Sequence, residues 1–269
     1  MAERSGGRGS LYGLVLLVAL LIFSIITAPA WLMGRLVAVL SHDQVLLEQA
    51  EGSFWSGKAA AVNFVLPDGS RYRPQNFAWR ILPGQLPRGT IAARVSVADA
   101  QLSAQGIVAV SGRETVVSEL QADLPAPVAS NFAPLLALWQ PGGNLHLSAG
   151  NLAIKPLQLN TPATLNWTGA SLSLSKLAPL GDYQLSITPN GAKLDLKLQT
   201  SSGALLLSGT GQYAMTSGGE IRVAASSAPG FEEQLAPLLQ IMGPSDGNGS
   251  VNVVTKLPPL AATVSSPAR

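Results

Sequence analysis

Residues Leu11 to Met33 run without a single charged side chain. An α-helix rises about 1.5 Å per residue, so some 20 apolar residues cross a hydrocarbon core about 30 Å thick. The run is long enough to span a bilayer with a little tilt, and all that follows it must then fold on one side. Arg4 and Arg8 precede the run with only Glu3 against them, while Arg35 alone follows it closely. Cationic flanks stay in the cytoplasm. The expected arrangement is a cytoplasmic N-terminus over residues 1–10, a single transmembrane anchor over 11–33, and a periplasmic domain over 36–257 in the envelope of a Gram-negative cell. Ala28-Pro29-Ala30 also has the small-x-small form of a signal-peptidase site, so a leader cleaved after Ala30 competes with a retained anchor. The run exceeds the about 7–15 apolar residues of an ordinary leader core and continues through Trp31, Leu32 and Met33, which favours retention.

Beyond the anchor the pattern is that of β-strands. Leu145, Leu147 and Ala149 alternate with His146 and Ser148. Leu172 and Leu174 alternate with serines. Ala192, Leu194, Leu196 and Leu198 alternate with Lys193, Asp195, Lys197 and Gln199, and Ile221, Val223 and Ala225 with Arg222 and Ala224. Alternation puts one face on a core and the other in water. Turn signals recur between these runs at Pro67-Asp68-Gly69, Pro141-Gly142-Gly143, Pro189-Asn190-Gly191 and Ser217-Gly218-Gly219. Hairpin-joined antiparallel strands fit this pattern and parallel βαβ units do not. The fold class is mainly β, an antiparallel curved sheet or a sandwich-like domain. Two short helices are expected over Ser130–Trp139 and Gly230–Met242. Each carries Ala-Pro-Leu-Leu, at 133–136 and 236–239, followed by a Gly-rich turn and a further strand. The recurrence reads as an internal duplication with repeats at about 44–155 and 160–257. Residues 258–269, rich in Pro, Ala and Ser, read as a flexible tail.

Composition limits the chemistry. Lys and Arg number 17 against 15 Asp and Glu, and no basic block or basic-aromatic stripe exists, so no nucleic-acid partner is indicated. Cysteine is absent, which removes disulfides, thiolate catalysis and cysteine-ligated metal. The two histidines, His42 and His146, are too few for a histidine-built zinc site, and His146 falls on the polar face of its strand. Glu232-Glu233 suits the first turn of a helix rather than acid–base work. Gly209-Thr210-Gly211 lacks the strand-to-helix setting of a phosphate loop and reads as a bulge or bend. No catalytic, cofactor or metal residue is assigned. The structural or recognition candidates are Gly52, Trp55, Gly57, Trp79 and Trp167. Gly52 and Gly57 bracket the Phe54-Trp55 pair, and glycines so placed mark a bulge, a tight bend or a close backbone approach. Large rings are scarce in the chain, so Trp55, Trp79 and Trp167 read chiefly as anchors of an aliphatic core, with ligand stacking as the alternative.

The apolar N-terminus, Gly52 to Ala59 (Gly-Ser-Phe-Trp-Ser-Gly-Lys-Ala), Phe77-Ala78-Trp79-Arg80-Ile81-Leu82-Pro83, Asn166-Trp167-Thr168-Gly169-Ala170, the Leu180-Gly181 turn and the late Ala-Pro-Leu-Leu helix follow one another in an order that resembles the protein N family of bacterial type II secretion systems. The resemblance covers most of the chain. It implies a single-span inner-membrane accessory component with a periplasmic β domain and no enzymatic activity. It also implies other inner-membrane secretion components as partners, in a machine that moves folded periplasmic proteins across the outer membrane. It supplies no catalytic residues. A second reading is an anchored lipid-binding or lipid-transfer module, in which an aliphatic inner sheet face forms an open groove for acyl chains. The sequence separates neither an open groove from a closed core nor one oligomeric state from another.

Overall fold

The computed structural model describes residues 26–65, 71–112, 114–129, 139–155, 157–246 and 249–259, with Tyr12, Leu16, Leu17, Ala19, Leu20, Phe23 and Ser24 ahead of them. In chain order the elements are α1 (Trp31–Leu40), β1 (Val45–Gly52), β2 (Ser56–Val65), β3 (Arg71–Tyr72), β4 (Gln75–Leu82), a 3-10 turn (Pro83–Arg88), β5 (Ile91–Ala98), β6 (Ser103–Val110) and β7 (Thr115–Pro125). There follow α2 (Ala126–Ala129), β8 (Gly142–Lys155), β9 (Leu157–Leu159), β10 (Ala163–Ser171), β11 (Gly181–Asn190), β12 (Lys193–Gly203), β13 (Leu205–Ala214), β14 (Gly218–Ser227), α3 (Glu232–Met242) and β15 (Val251–Leu257).

The strands form one antiparallel sheet of 15, in the order β1-β2-β4-β5-β6-β7-β8-β10-β11-β12-β13-β14-β15, with β3 added to β2 and β9 to β8. The two ends, β1 and β15, do not pair with each other, so the sheet is open. The sandwich-like alternative is corrected by this: one continuous sheet replaces two packed ones. Almost every connection returns the chain beside the strand just laid, which a short turn permits only between antiparallel neighbours.

Residues paired across strands share a face, so the register traces one surface from end to end. Leu120 opposes Ala149, Ala149 opposes Ala163, Ala163 opposes Ile187, Ile187 opposes Leu196, Leu196 opposes Gly211, and Gly211 opposes Ile221. This inner face is almost wholly apolar. At its late end α3 lays Leu235, Leu238 and Leu239 on Leu205, Ala225 and Val251, with Leu180 from the loop before β11 completing the cluster. At its early end α1 covers Ala59, Trp79, Ile81 and Ala93 with Ala30 and Met33. Glu119, at φ +53°, sits at a bulge in β7; the extra residue explains why Val117 and Leu120, three apart, turn to the same side.

Several expectations change. The apolar run does not continue as one helix through Met33. The described positions from Tyr12 to Ile26 are helical, but the chain breaks at Thr27–Ala30, where Pro29 bridges Ser53 and the Ala28 carbonyl accepts the Phe54 N–H at 2.8 Å. Proline lacks the N–H that a helix would need at that point. Ala30 and Met33 are buried in the domain itself. Among the described residues no helix is long and apolar enough to cross a membrane, and much of the 11–33 span lies outside them. The expected strand at Leu172 and Leu174 is instead a loop. β10 ends at Ser171, and Leu172 and Leu177 fold onto the α3 cluster while Leu174 is exposed. The helix expected at Ser130–Trp139 falls almost wholly outside the described residues. The second forms as α3, with Glu232 and Glu233 in its first turn and Pro237 inside it. Gly209 and Gly211 sit in a regular β13 without a bulge; a Cβ on Gly209 would meet the Arg222 carbonyl at 2.8 Å, so the pair permits close strand packing.

Candidate functional site

The most distinctive surface is a trough between α1 and the inner face of the early sheet. Its position follows from how the chain enters the sheet. The Ala30 N–H donates to the Gly52 carbonyl at 3.3 Å, which starts α1 beside the far end of β1. At the other end the Ser41 N–H donates to the Val37 carbonyl, and the Ser41 hydroxyl accepts the Val45 N–H at 3.0 Å, turning the chain back into β1. The helix therefore lies along the edge strand with Met33, Leu36, Val37 and Leu40 directed inward.

Gly52 and Gly57 face each other across the β1–β2 hairpin. Gly52 has φ +97°, and a Cβ there would stand 2.8 Å from the Ser56 carbonyl oxygen. At Gly57 a Cβ would meet the Trp79 ring and lie 2.6 Å from the Glu51 carbonyl oxygen. The missing side chain is thus the space that the Trp79 indole occupies. Trp79 is 2 % exposed, stacks on Phe77 with ring centres 6.1 Å apart, and donates its Nε1–H to the Phe54 carbonyl at 3.0 Å. Trp55, half-buried, meets Phe54 edge-on at 5.5 Å, and its carbonyl accepts the Ile81 N–H at 2.7 Å. Four of the five candidate residues therefore come together around one turn. Trp167 does not join them. It lies in β10 against Tyr183, centres 5.9 Å apart, and donates Nε1–H to the Gly142 carbonyl at 2.9 Å.

From Trp79 and Phe77 the inner face continues through Val95 and Val97 on β5, Val108 and Val110 on β6, Val117 and Leu120 on β7, and Ile154 on β8. Together with α1 these residues line an open-sided cavity of about 450 Å³. Among the described residues Ser96 and Gln105 are the polar residues along its wall, and Gln105 turns its amide to Gln121 on the exposed side. A face that lines one cavity from seven strands is concave. None of these residues except Trp79 is among the sequence candidates, although Val95 and Val97 alternate with Arg94 and Ser96.

The charged groups lie on the outer face or at the rims. Arg73 and Asn63 both donate to Glu48, and these bonds hold its carboxyl below the usual range, Arg73 contributing most. The Gly169 N–H at 2.7 Å and the Ser202 hydroxyl do the same for Asp182. Burial, then the neighbouring Asp182 charge, pushes the Tyr183 phenol well above its ordinary value, and its O–H donates to the Leu205 carbonyl at 3.0 Å. His146 Nδ1 stands 2.6 Å from an Asp123 carboxylate oxygen on the exposed face, where the pair sits in solvent. His42 lies in the turn after α1 at φ +52°. Among the described residues no group of three His, Asp or Glu side chains is placed to hold a metal ion.

Comparison with known proteins agrees with the resemblance noted from the sequence. The family described as type II secretion system (T2SS), protein N, matches residues 43–254, a span that begins two residues before β1 and ends within β15. A protein of Aeromonas hydrophila, type II secretion system protein N, is 26 % identical over 241 residues, covering 87 % of this chain and 92 % of its own length. No solved structure matches.

Proposed function

This chain belongs to the type II secretion system protein N family, and from that premise we propose that it is a non-catalytic assembly component held at the inner membrane, with its sheet in the periplasm. Membership makes it a type II secretion component; the location and role are our reading. The observation that carries it is the extent of the family match, which runs over nearly the whole sheet and leaves the apolar N-terminal segment as a separate attachment.

That segment supports the anchor. Leu16, Leu17, Leu20, Phe23 and Ile26 are 59–70 % exposed, and the sequence from Leu11 to Met33 carries no charged side chain on any side of a helix. A helix apolar all round needs an apolar surround, which a bilayer supplies. With 11–27 in the membrane and Arg4 and Arg8 in the cytoplasm, the sheet begins directly at the periplasmic surface. Retention of the anchor is favoured by the hold on Ala28-Pro29-Ala30. A peptidase would have to free a segment bonded to Phe54, Ser53 and Gly52. Confinement to one surface raises the effective concentration of the domain near other anchored subunits. Among the described residues the edge of β15 beyond the Ser245–Val251 bridge offers backbone groups to a partner strand.

The test is site-specific crosslinking in cells from positions along β15, read against the other inner-membrane secretion components. Adducts with them are expected. A chain found in the soluble cytosolic fraction would overturn the location, and a mature chain beginning at Trp31 would overturn the retained anchor.

A further inference from the structure

We propose that the trough between α1 and the β1–β8 face holds one acyl chain of a membrane lipid, a reading that rests on the anchoring proposed above. The cavity of about 450 Å³ falls within the usual range of small-molecule sites. Its chemistry restricts the occupant. A polar ligand would give up hydrogen bonds to water and meet a lining whose described side chains are almost all aliphatic or aromatic and cannot replace them. An apolar ligand loses nothing of that kind.

Shape restricts it further. The lining crosses β1, β2, β4, β5, β6, β7 and β8. At about 4.8 Å between neighbours, the arc is roughly 29 Å long. The chains of one bilayer leaflet fill half of a core about 30 Å thick, so one extended chain needs about 15 Å. The trough is long enough for a whole chain and elongated in the manner of one.

The source of the ligand is set by α1. Its inner residues Met33, Leu36, Val37 and Leu40 form one wall of the trough. Its outer stripe, Trp31, Arg35 and Val39, is exposed at four-residue spacing, with the Arg35 guanidinium 5.8 Å from the Trp31 ring centre. Trp and Arg on one side of a short helix match the headgroup level of a bilayer. The helix also follows directly on the exposed apolar positions up to Ile26. One helix is thus bounded by lipid on its outside and by the trough on its inside. At the other end of the sheet the same face is filled by Leu235, Leu238 and Leu239 of α3. Among the described residues the early half has room left.

The full-length protein is to be reconstituted in phosphatidylethanolamine–phosphatidylglycerol vesicles that contain phosphatidylethanolamine with a photoreactive diazirine at mid-chain. Labelled peptides are then mapped by mass spectrometry. Label is expected in the peptides carrying Val95, Val108 and Val117, besides label in residues 11–27. Val108→Trp, which fills the trough, should lower label in the sheet peptides at least fivefold and leave that in 11–27 unchanged. Ala104→Phe repeats the test should Val108→Trp not fold. Label confined to 11–27 in the wild-type protein would overturn the acyl-chain site and leave the anchor standing. That result includes the case in which residues 130–138 or a second copy occupy the trough instead. No label in 11–27 would overturn the anchor, and with it the basis for this site.

Discussion

The early and late halves of the sheet present the same face to different ends. In the late half, α3 crosses β14 and β15 and seats three leucines on Leu205, Ala225 and Val251, with Leu180 closing the gap from the side. In the early half, α1 runs along the edge strand β1 and its cluster reaches as far as Ala93 and Val95 of β5, and no described helix lies over the valines of β6. Both halves use period-two alternation, and both carry a helix of similar length. The difference is placement. A helix that follows the last-but-one strand lies over the sheet, whereas one that precedes the first strand lies along its edge. An alternating strand therefore specifies a buried face without specifying what buries it.

The largest effect that bears on this contrast falls inside the open half. Among the described residues Trp79 is the large ring there with almost no exposure, and Trp79→Ala should cost about 3–5 kcal/mol in urea unfolding. Unchanged stability would remove the floor of the early half and the packing role with it. Next comes a matched pair. Leu235, fully buried, should cost about 2–5 kcal/mol on Leu235→Ala. Val108, half-buried on the trough wall, should cost only about 1 kcal/mol on Val108→Ala, a part of the transfer value of two buried methylenes. Equal losses at the two positions would mean that the early face is as well filled as the late one. The smallest effect is a pH dependence confined to the late half. The Tyr183 pKa is raised in the folded state, chiefly by burial, so its contribution is complete below the unfolded phenol value of about 10 and is lost as pH rises above it. Thermal melts of the wild type should fall more steeply above about pH 10 than those of Tyr183→Phe. Parallel curves would sink this assignment.

The late half was the easier to read because leucine alternates there with Lys, Asp, Ser and Gln, as along β12. In the early half small apolar residues occupy both faces. Ala92 and Ala98 stand beside Val95 and Val97 in β5, and Ala109 beside Val108 and Val110 in β6, so the contrast that marks a face is weak. The glycine pair and the aromatics were visible as a unit, but the ring that fills the space over Gly57 comes from β4 rather than from the Phe54-Trp55 pair between the glycines. That partnership depends on strand register, which local spacing does not contain. α1 was hidden inside the longer apolar run. Pro29 is the available signal that the run has two parts, one whose described apolar positions are exposed and one committed to the sheet. Leu172 and Leu174 alternate like a strand and form a loop, in which Leu172 packs on the α3 cluster and Leu174 is exposed.

Because each strand of the sheet lies beside the one that precedes it in the chain, apart from the small β3 and β9 ribbons, nearly all pairing is local in sequence. Closing a short loop costs little entropy, and a topology of this kind has low contact order for a β protein. Such a ribbon can lengthen strand by strand from its first hairpin, with no distant segment needed to complete any pair. A polypeptide delivered end-first would be able to assemble in the order of its arrival.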